Sequence, residues 1–439
     1  MASPGEMGSP MPQSDKTEKQ RRREGTMRIL FIVHRTPYPP NKGEKMRAFW
    51  ELQALAKRHE VDLICFYDDP KDKEYAHELN QYCRHYYLEK LSYFWSRARA
   101  ISALLLGKSF STAFFCSRTM ARNIKSAMDL RTYDKVLVFS SSMAQYVEAT
   151  NNIPKLLDMV DVDSDKWEQY ANRSRWPLSW VWRREARSLA AYESRLVRGF
   201  STTVVCTDAE AELLRSKAPV GEIQVLENFL DVDQYDPRKI SLSDQIRSWQ
   251  PYVIFSGSMD YFPNVDAARY FCREVLPLIR SELPGTRFVI AGRNPHRSIA
   301  ELGSDPAVQI TGSVPDIKPY ICGAAAAVVP MRIARGVQNK VLEALAGGIP
   351  VVSSTAAASA LPENLRSLLV VADTPREFAA GVSRILRHGS DISSVELRGA
   401  LKRHYENLDL QSQLDRLMLN NGVALKEESF VSAGWGQPG

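Results

Sequence analysis

At 439 residues, with 44% hydrophobic, 25% charged and 9% aromatic side chains, the chain is too long for one typical core and too apolar to be disordered. The 57 Lys and Arg against 51 Asp and Glu give a net charge of +6, which suits phosphorylated ligands or an anionic membrane surface but is too mild to point to nucleic acid. Six scattered cysteines (Cys65, Cys83, Cys116, Cys206, Cys272, Cys322), without a C-x-x-C pair or zinc spacing, exclude a disulfide scaffold and read as thiols of a reducing cytoplasm.

Residues 1–26 are polar, rich in Pro, Gly and Ser and then basic, and predict a disordered tail. That stretch lacks the apolar segment of a secretory signal, no run approaches the ~20 apolar residues of a membrane span, and a cytoplasmic location is expected. RILFIV directly after Met27 predicts a first strand and suggests Met27 as the start; EKMRAFWELQALAKRH has helical spacing and VDLICF reads as a second strand. DKVLVF, KLLDMV, a charged helix from about Arg183 to Arg198, STTVVC, the helix AEAELLRSK and IQVL continue the alternation. A polar linker, DVDQYDPRKISLSDQIRSWQP, precedes a second series: YVIFSG, helix NVDAARYFCREVLPLIRSEL, FVIAG, VQITG, AAAVVP, helix VQNKVLEALAGG, VVSS and helix PREFAAGVSRILRH. The fold class predicted is α/β, two tandem Rossmann-like domains facing a cleft. The expected bounds are 27–240 on the acceptor side, 241–395 for nucleotide-sugar binding, a helix over 396–425 packing back on the first domain, and a flexible tail over 426–439.

In such folds ligands sit outside the carboxyl ends of the strands. The segment 331–352, MRIARGVQNKVLEALAGGIPVV, follows a strand and opens a helix around Gly336, where free N–H groups and the helix dipole make a site for a pyrophosphate. Lys340 stands in the early turns, where a cation opposes the dipole unless a phosphate lies nearby. Asn339, Lys340 and Glu343 share one face, and a carboxylate there can accept from both hydroxyls of a ribose. The alternative is a surface Lys340–Glu343 pair on a packed helix. Asp158, Asp161, Asp163 and Asp165 follow KLLDMV; without the glycine and distal glutamate of a calcium loop they are poor metal ligands, and they serve either at an acceptor hydroxyl or as caps of KWEQYA, with Ser164 or Asp163 at the cap. Gly43 opens a helix whose Lys45 and Arg47 can supply charge to the donor phosphates, or it starts an ordinary βα unit. His34 after the first strand reads as structural and Asn228 as a turn residue. YYLEKLSYFWSRARAISALLL and SRWPLSWVWRREARS mix aromatic and basic residues, which suits either a membrane interface or buried amphipathic helices.

PYPPNKGEKMR, LLDMVDVDSDKW, IQVLENFLDVDQYDP, FSGSMDYFPNVDA, ITGSVPDIKPYI and GVQNKVLEALAGGIPVV occur in this order, and from Met27 to about residue 405 the chain resembles glycosyltransferase family 4, with most similarity to members associated with exopolysaccharide and exosortase loci. The resemblance implies a GT-B fold, sugar transfer with retention, a nucleotide-sugar donor, and a saccharide or lipid-linked acceptor, with no nucleic acid and no cofactor or metal. It implies that Glu343 holds the ribose, that Gly336 and Val337 offer amides to the donor, and that Asp161 and Asp163 face the acceptor. Three positions, in two segments, depart from the family pattern. Arg335 stands where a sugar-contacting glutamate is usual, and an arginine there can meet a phosphate or an acidic sugar bidentately. Ser258 and Pro263 stand where an Arg and a Lys neutralise the pyrophosphate, so Lys340, Arg332, Arg335 and Arg293 become the candidate cations. The expected site is thus catalytic Asp161, Asp163 and Lys340, with Gly43, Gly257, Arg293, Arg335, Gly336, Val337, Asn339, Lys340 and Glu343 at the donor. A nucleotide-sugar epimerase or a non-catalytic scaffold on the same fold is the alternative function.

Overall fold

The structure, a computed structural model, describes residues 25–40, 43–150, 152–334 and 336–419. Apart from Gly25 and Thr26, the expected tails lie outside the described residues, as does Arg335.

Runs such as RILFIV and KVLVF are apolar on both sides of the pleat, so each must be covered on both faces, the condition of a central parallel strand. The first sheet comprises β1 (Arg28–Val33), β2 (Glu60–Tyr67), β3 (His85–Lys90), β4 (Lys135–Phe139), β5 (Lys155–Val160), β6 (Thr202–Val205) and β7 (Ile223–Val225), ordered β3-β2-β1-β4-β5-β6-β7. The second comprises β8 (Tyr252–Ser256), β9 (Arg287–Ala291), β10 (Val308–Gly312), β11 (Ala326–Val329), β12 (Val351–Ser353) and β13 (Val370–Val371), ordered β10-β9-β8-β11-β12-β13. Both are wholly parallel. β1 shows how the core divides: Ile29, Phe31 and Val33 face a cluster that continues into the second domain, whereas Leu30 and Ile32 face a separate cluster on the other side of the first sheet. In each sheet the strand order reverses beside the first strand, between β1 and β4 in the first and between β8 and β11 in the second.

Three segments differ from the pattern reading. YYLEK is not helical but forms edge strand β3, after which the helix Tyr93–Leu105 begins; that helix buries only Ser96 and Ala103, so it is not a buried amphipathic element. The stretch from Phe262 to Glu282 carries a π turn at Phe271–Val275, just ahead of Pro277, which has no N–H and needs room for its ring one turn back. The C-terminal region is two helices, Ser394–Leu408 and Leu410–Leu419, broken at Asp409 with φ 43°. The second lies against the first domain: Arg58 pairs with Asp415 at 2.5 Å, and Lys135 donates to Leu417 O at 3.0 Å.

Candidate functional site

The second domain builds its part of the site from three post-strand loops. Gly257 (φ 150°) follows β8 and Gly292 (φ 156°) follows β9; a Cβ on Gly292 would lie 1.7 Å from Gly257 O, so the two loops touch only because Gly292 lacks a side chain, and a Cβ on Gly257 would lie 2.7 Å from Asn264 Nδ2. The third loop leads from β11 to the helix Asn339–Ala346, whose first turn has no side-chain cap. Lys340 folds back from that turn under the β8 loop. Its ammonium is 2.6 Å from Asn264 Oδ1, 3.4 Å from Met331 Sδ and 4.5 Å above the Phe255 ring. Burial drives its pKa down to about 7, with Glu343 opposing. Burial drives the Glu343 carboxyl up to about 7, opposed by Lys340 and by the Tyr235 hydroxyl that donates to it. Both side chains are half-buried and hydrogen-bonded to other elements, Lys340 to Asn264 and Glu343 to Tyr235, and are not the solvated surface pair that spacing alone allowed.

The first domain meets this helix through glycines. A Cβ on Gly43, first residue of the helix Gly43–Ala56, would sit 2.9 Å from Asn339 Nδ2, and Asn339 Oδ1 accepts from Asn228 at 3.3 Å. Gly336 (φ 57°) lies so close to the other domain that a Cβ would be 2.0 Å from Asp161 Oδ1. The Val337 amide is directed at the Cys206 sulfur, not at open space, and the Cys206 thiol donates to Asp161 Oδ1 at 3.0 Å. Burial raises the Asp161 carboxyl, the Cys206 bond opposing.

Asp161 is set in place by a strained turn. Val160 has φ 65°, unfavourable for a β-branched residue, and Asp161 N–H closes a tight turn onto Met159 O at 2.8 Å. The same point is a register shift against β6, and the Asp158 carboxylate holds Val160 N–H at 2.8 Å. An outlier of this kind costs about 1–3 kcal/mol and persists where surroundings over-determine it.

Several expectations are corrected. Arg47 and Lys45 do not reach the cleft: Lys45 is buried against Asp72 at 2.7 Å, and Arg47 is buried on Asp158 at 2.6 Å, Leu226 O at 2.7 Å and Asn228 at 2.9 Å. Both answer buried carboxylates, which outcompete solvent-side ligands. Arg332 is engaged by Asp266 at 2.5 Å and lies over Tyr270. The four aspartates diverge: Asp158 to Arg47, Asp161 to Cys206, Asp163 to Lys166 and Asp165 to Gln169, and among the described residues no three metal-type side chains converge. The helix Asp163–Arg173 is not capped by Ser164 or Asp163; distant carboxylates take its amides, Glu210 from Val162 N at 2.7 Å and Glu193 from Ser164 N at 3.0 Å. Arg293 is half-buried after β9, its charge disfavoured by burial and favoured by Glu44 and Asp260. His34 is stacked on Phe139, and burial lowers it to about 4, so it is neutral and structural.

Between the domains lies a cavity of about 180 Å³, with Asp161 and Lys166 on one wall and Tyr261, Met331, Ile333, Ala334 and Gln338 on the other. Pattern reading missed Lys166, Tyr235, Tyr261 and Cys206. Lys166, Tyr235 and Tyr261 lie inside the segments LLDMVDVDSDKW, IQVLENFLDVDQYDP and FSGSMDYFPNVDA, and Cys206 follows STTVV directly, but no local spacing singles out these four residues. Tyr235, in the linker, is brought to Glu343 by a short helix, Val232–Tyr235, that only tertiary packing locates.

Residues 250–388, the second sheet and its helices, match the family model described as Glycosyl transferases group 1. No curated protein matches the chain significantly. Among solved structures, sucrose-phosphate synthase from Thermosynechococcus elongatus superposes with a TM-score of 0.66 at 16% identity, covering 89% of this chain and 98% of its own. HepE of Anabaena, in complex with UDP and glucose, gives 0.58 at 14% identity, with 90% and 98% covered. WaaG, a glycosyltransferase involved in lipopolysaccharide biosynthesis, gives 0.56 at 15% identity, with 89% and 98% covered. These likenesses establish the two-domain fold of GT-B enzymes for the whole chain. With a group 1 domain in its second half and that fold throughout, the chain is a glycosyltransferase of GT-B type.

Proposed function

We propose that the protein transfers a glycosyl group from a nucleotide-sugar, a uridine diphosphate sugar first among the candidates, to a saccharide or lipid-linked acceptor. The observation that carries this reading is the cavity of about 180 Å³ walled by Asp161 and Lys166 on one side and by Tyr261 and the β11 loop from Met331 to Gln338 on the other, directly ahead of the helix Asn339–Ala346 that bears Lys340 and Glu343. Glu343 receives the ribose hydroxyls. Lys340 and the uncapped amides of the Asn339–Ala346 turn stabilise the diphosphate as it leaves. Asp161, its proton affinity raised by burial, orients the acceptor hydroxyl and takes its proton; Asp163 is already committed to Lys166 and acts through it. A fixed ammonium in this position makes metal unnecessary, and transfer should be indifferent to chelator. Transfer with retention, and a role in exopolysaccharide or cell-surface glycan synthesis, follow from the family 4 resemblance. That some similar structures were solved with UDP or UDP-glucose supports the choice of base.

Calorimetric titration of UDP, GDP and ADP into the protein and into Glu343→Ala tests the reading. Saturable binding of one nucleotide, weakened at least tenfold (~1.4 kcal/mol) in the variant, is expected. A folded protein that binds none of the three would remove the donor site.

A further inference from the structure

Two surface segments of the first domain take no part in the site. Residues 92–109 and 173–184 hold seven cations, Arg97, Arg99 and Lys108 in one and Arg173, Arg175, Arg183 and Arg184 in the other, and not one acidic residue. Large apolar side chains stand in water between them. On the helix Tyr93–Leu105, Phe94, Ile101 and Leu105 follow at intervals of seven and four residues, hence on one face, with Trp95 and Leu106 beside them. Trp176, Leu178 and Trp180 project from the turn that opens the helix Leu178–Gly199; Leu105 and Trp176 are each 82% exposed.

The two segments form one surface. Arg184, one turn from Trp180 on the same face, donates to Ala103 O at 3.4 Å and Lys108 O at 3.3 Å, which brings Trp180 alongside Leu105 and Leu106. The acids nearby are engaged: Glu185 is turned inward and occupied by Ser109 Oγ and the amides of Phe110 and Ser111, Asp68, which accepts from Tyr93 at 2.9 Å, is paired with Arg35, and Glu89, which faces Arg99, accepts from Ser117. The surface therefore presents indole and aliphatic groups ringed by an excess of positive charge.

From this we infer that the surface docks on a bilayer carrying anionic phospholipid, the aromatic and leucine side chains entering the headgroup boundary while the arginines meet phosphate. Indole at an interface, cations that extend past apolar groups, and unbalanced positive charge are each matched by that partner. A protein partner would match the apolar groups but would need an unusually acidic face.

The placement bears on the acceptor, a consequence that rests on the transferase reading. The helix Asp163–Arg173 has Lys166 at the cavity near its start and ends at Arg173 beside Trp176. Eleven residues at ~1.5 Å per residue put the bilayer roughly 16 Å from the reacting centre, within the span of a headgroup-linked saccharide.

Flotation of the full chain with vesicles of phosphatidylcholine alone, and of phosphatidylcholine mixed with phosphatidylglycerol, tests the inference. The chain should float with the mixed vesicles and weakly or not at all with the neutral ones. The triple variants Trp95→Ser/Leu105→Ser/Leu106→Ser and Arg97→Glu/Lys108→Glu/Arg183→Glu should each lower partition at least tenfold while UDP titration and urea unfolding stay as in the parent. Equal flotation of parent and folded variants overturns the inference. So does a dimer, seen by light scattering, that the apolar variant dissolves. Loss of UDP binding with flotation intact would strike the donor reading alone.

Discussion

Lys340→Met separates what the lysine costs the fold from what it does for the ligand. Burial moves its pKa from 10.5 to about 7; at ~1.4 kcal/mol per tenfold change in proton affinity, that is roughly 4–5 kcal/mol against the charged form. The bond to Asn264 Oδ1 and the position over Phe255 return about 1–3 kcal/mol of this. Methionine keeps most of the packing and carries no charge, so at pH 7 the variant should be more stable by about 1–2 kcal/mol. Linkage gives the same sign: in the native enzyme Lys340 binds fewer protons than the unfolded chain between about 7 and 10.5, so its penalty is greatest below pH 7 and fades as pH rises. The gain should accordingly shrink from pH 6 to pH 9. Urea unfolding at three pH values reads the stability, and UDP titration reads the ligand, which should bind at least tenfold more weakly without the ammonium. A less stable variant, or one that binds UDP like the parent, would refute the assignment of Lys340 as a destabilising phosphate-facing cation.

Three further outcomes are expected. Gly336→Ala places a methyl 2.0 Å from Asp161 Oδ1 at φ 57°, so transfer should fall at least a hundredfold and stability by about 1 kcal/mol or more; unchanged kcat would show that the Gly336–Asp161 contact is not needed for turnover. Arg47→Met strips the buried partner from Asp158 and Glu51, whose carboxyl burial already pushes far up, and should cost about 3–5 kcal/mol in urea unfolding; a cost below 1 kcal/mol would contradict a structural role. Glu343→Gln should flatten the acid side of UDP affinity: the carboxyl titrates near 7, ribose recognition needs its ionised form, and in the parent affinity should climb from pH 5.5 to a maximum near 7, where Lys340 begins to lose its proton. Persistence of that climb in the variant would assign it to another group.

Period and punctuation made the architecture legible. Six consecutive buried residues in RILFIV, and strand-helix alternation twice over, leave few folds other than two doubly wound sheets. The helix proposed to hold the donor is legible for the same local reason, since Gly336, Lys340 and Glu343 lie within eight residues of one another. What failed was the assignment of charge. Lys45 and Arg47 stand in a glycine-led helix start that looks like a phosphate site, but their partners, Asp72 and Asp158, are 27 and 111 residues away, and the topology supplies both. The caps of the Asp163–Arg173 helix illustrate the same limit: Ser164 and Asp163 were the local candidates, and Glu193 and Glu210 from two other helices took the amides.

The proposed donor site already pairs its main polar groups internally, and this determines what a ligand must do. Glu343 accepts from Tyr235, Lys340 donates to Asn264, and the Val337 amide meets Cys206, which in turn binds Asp161. Leaving any of these buried groups alone would cost about 1–3 kcal/mol, so a nucleotide-sugar gains affinity only from the surplus of its contacts over those it replaces. Tyr235 is the simplest place to measure the exchange. Its hydroxyl lowers the Glu343 pKa against the effect of burial; in Tyr235→Phe the carboxyl must therefore titrate higher still. The acid limb of UDP affinity should move to higher pH, while the limb set by Lys340, which the hydroxyl does not touch, should stay. At a pH above the acid limb of both proteins, the variant should bind UDP as tightly as the parent or more so, because no internal donor competes for the carboxylate. Weaker binding there would instead make the Tyr235 hydroxyl a ligand contact in its own right.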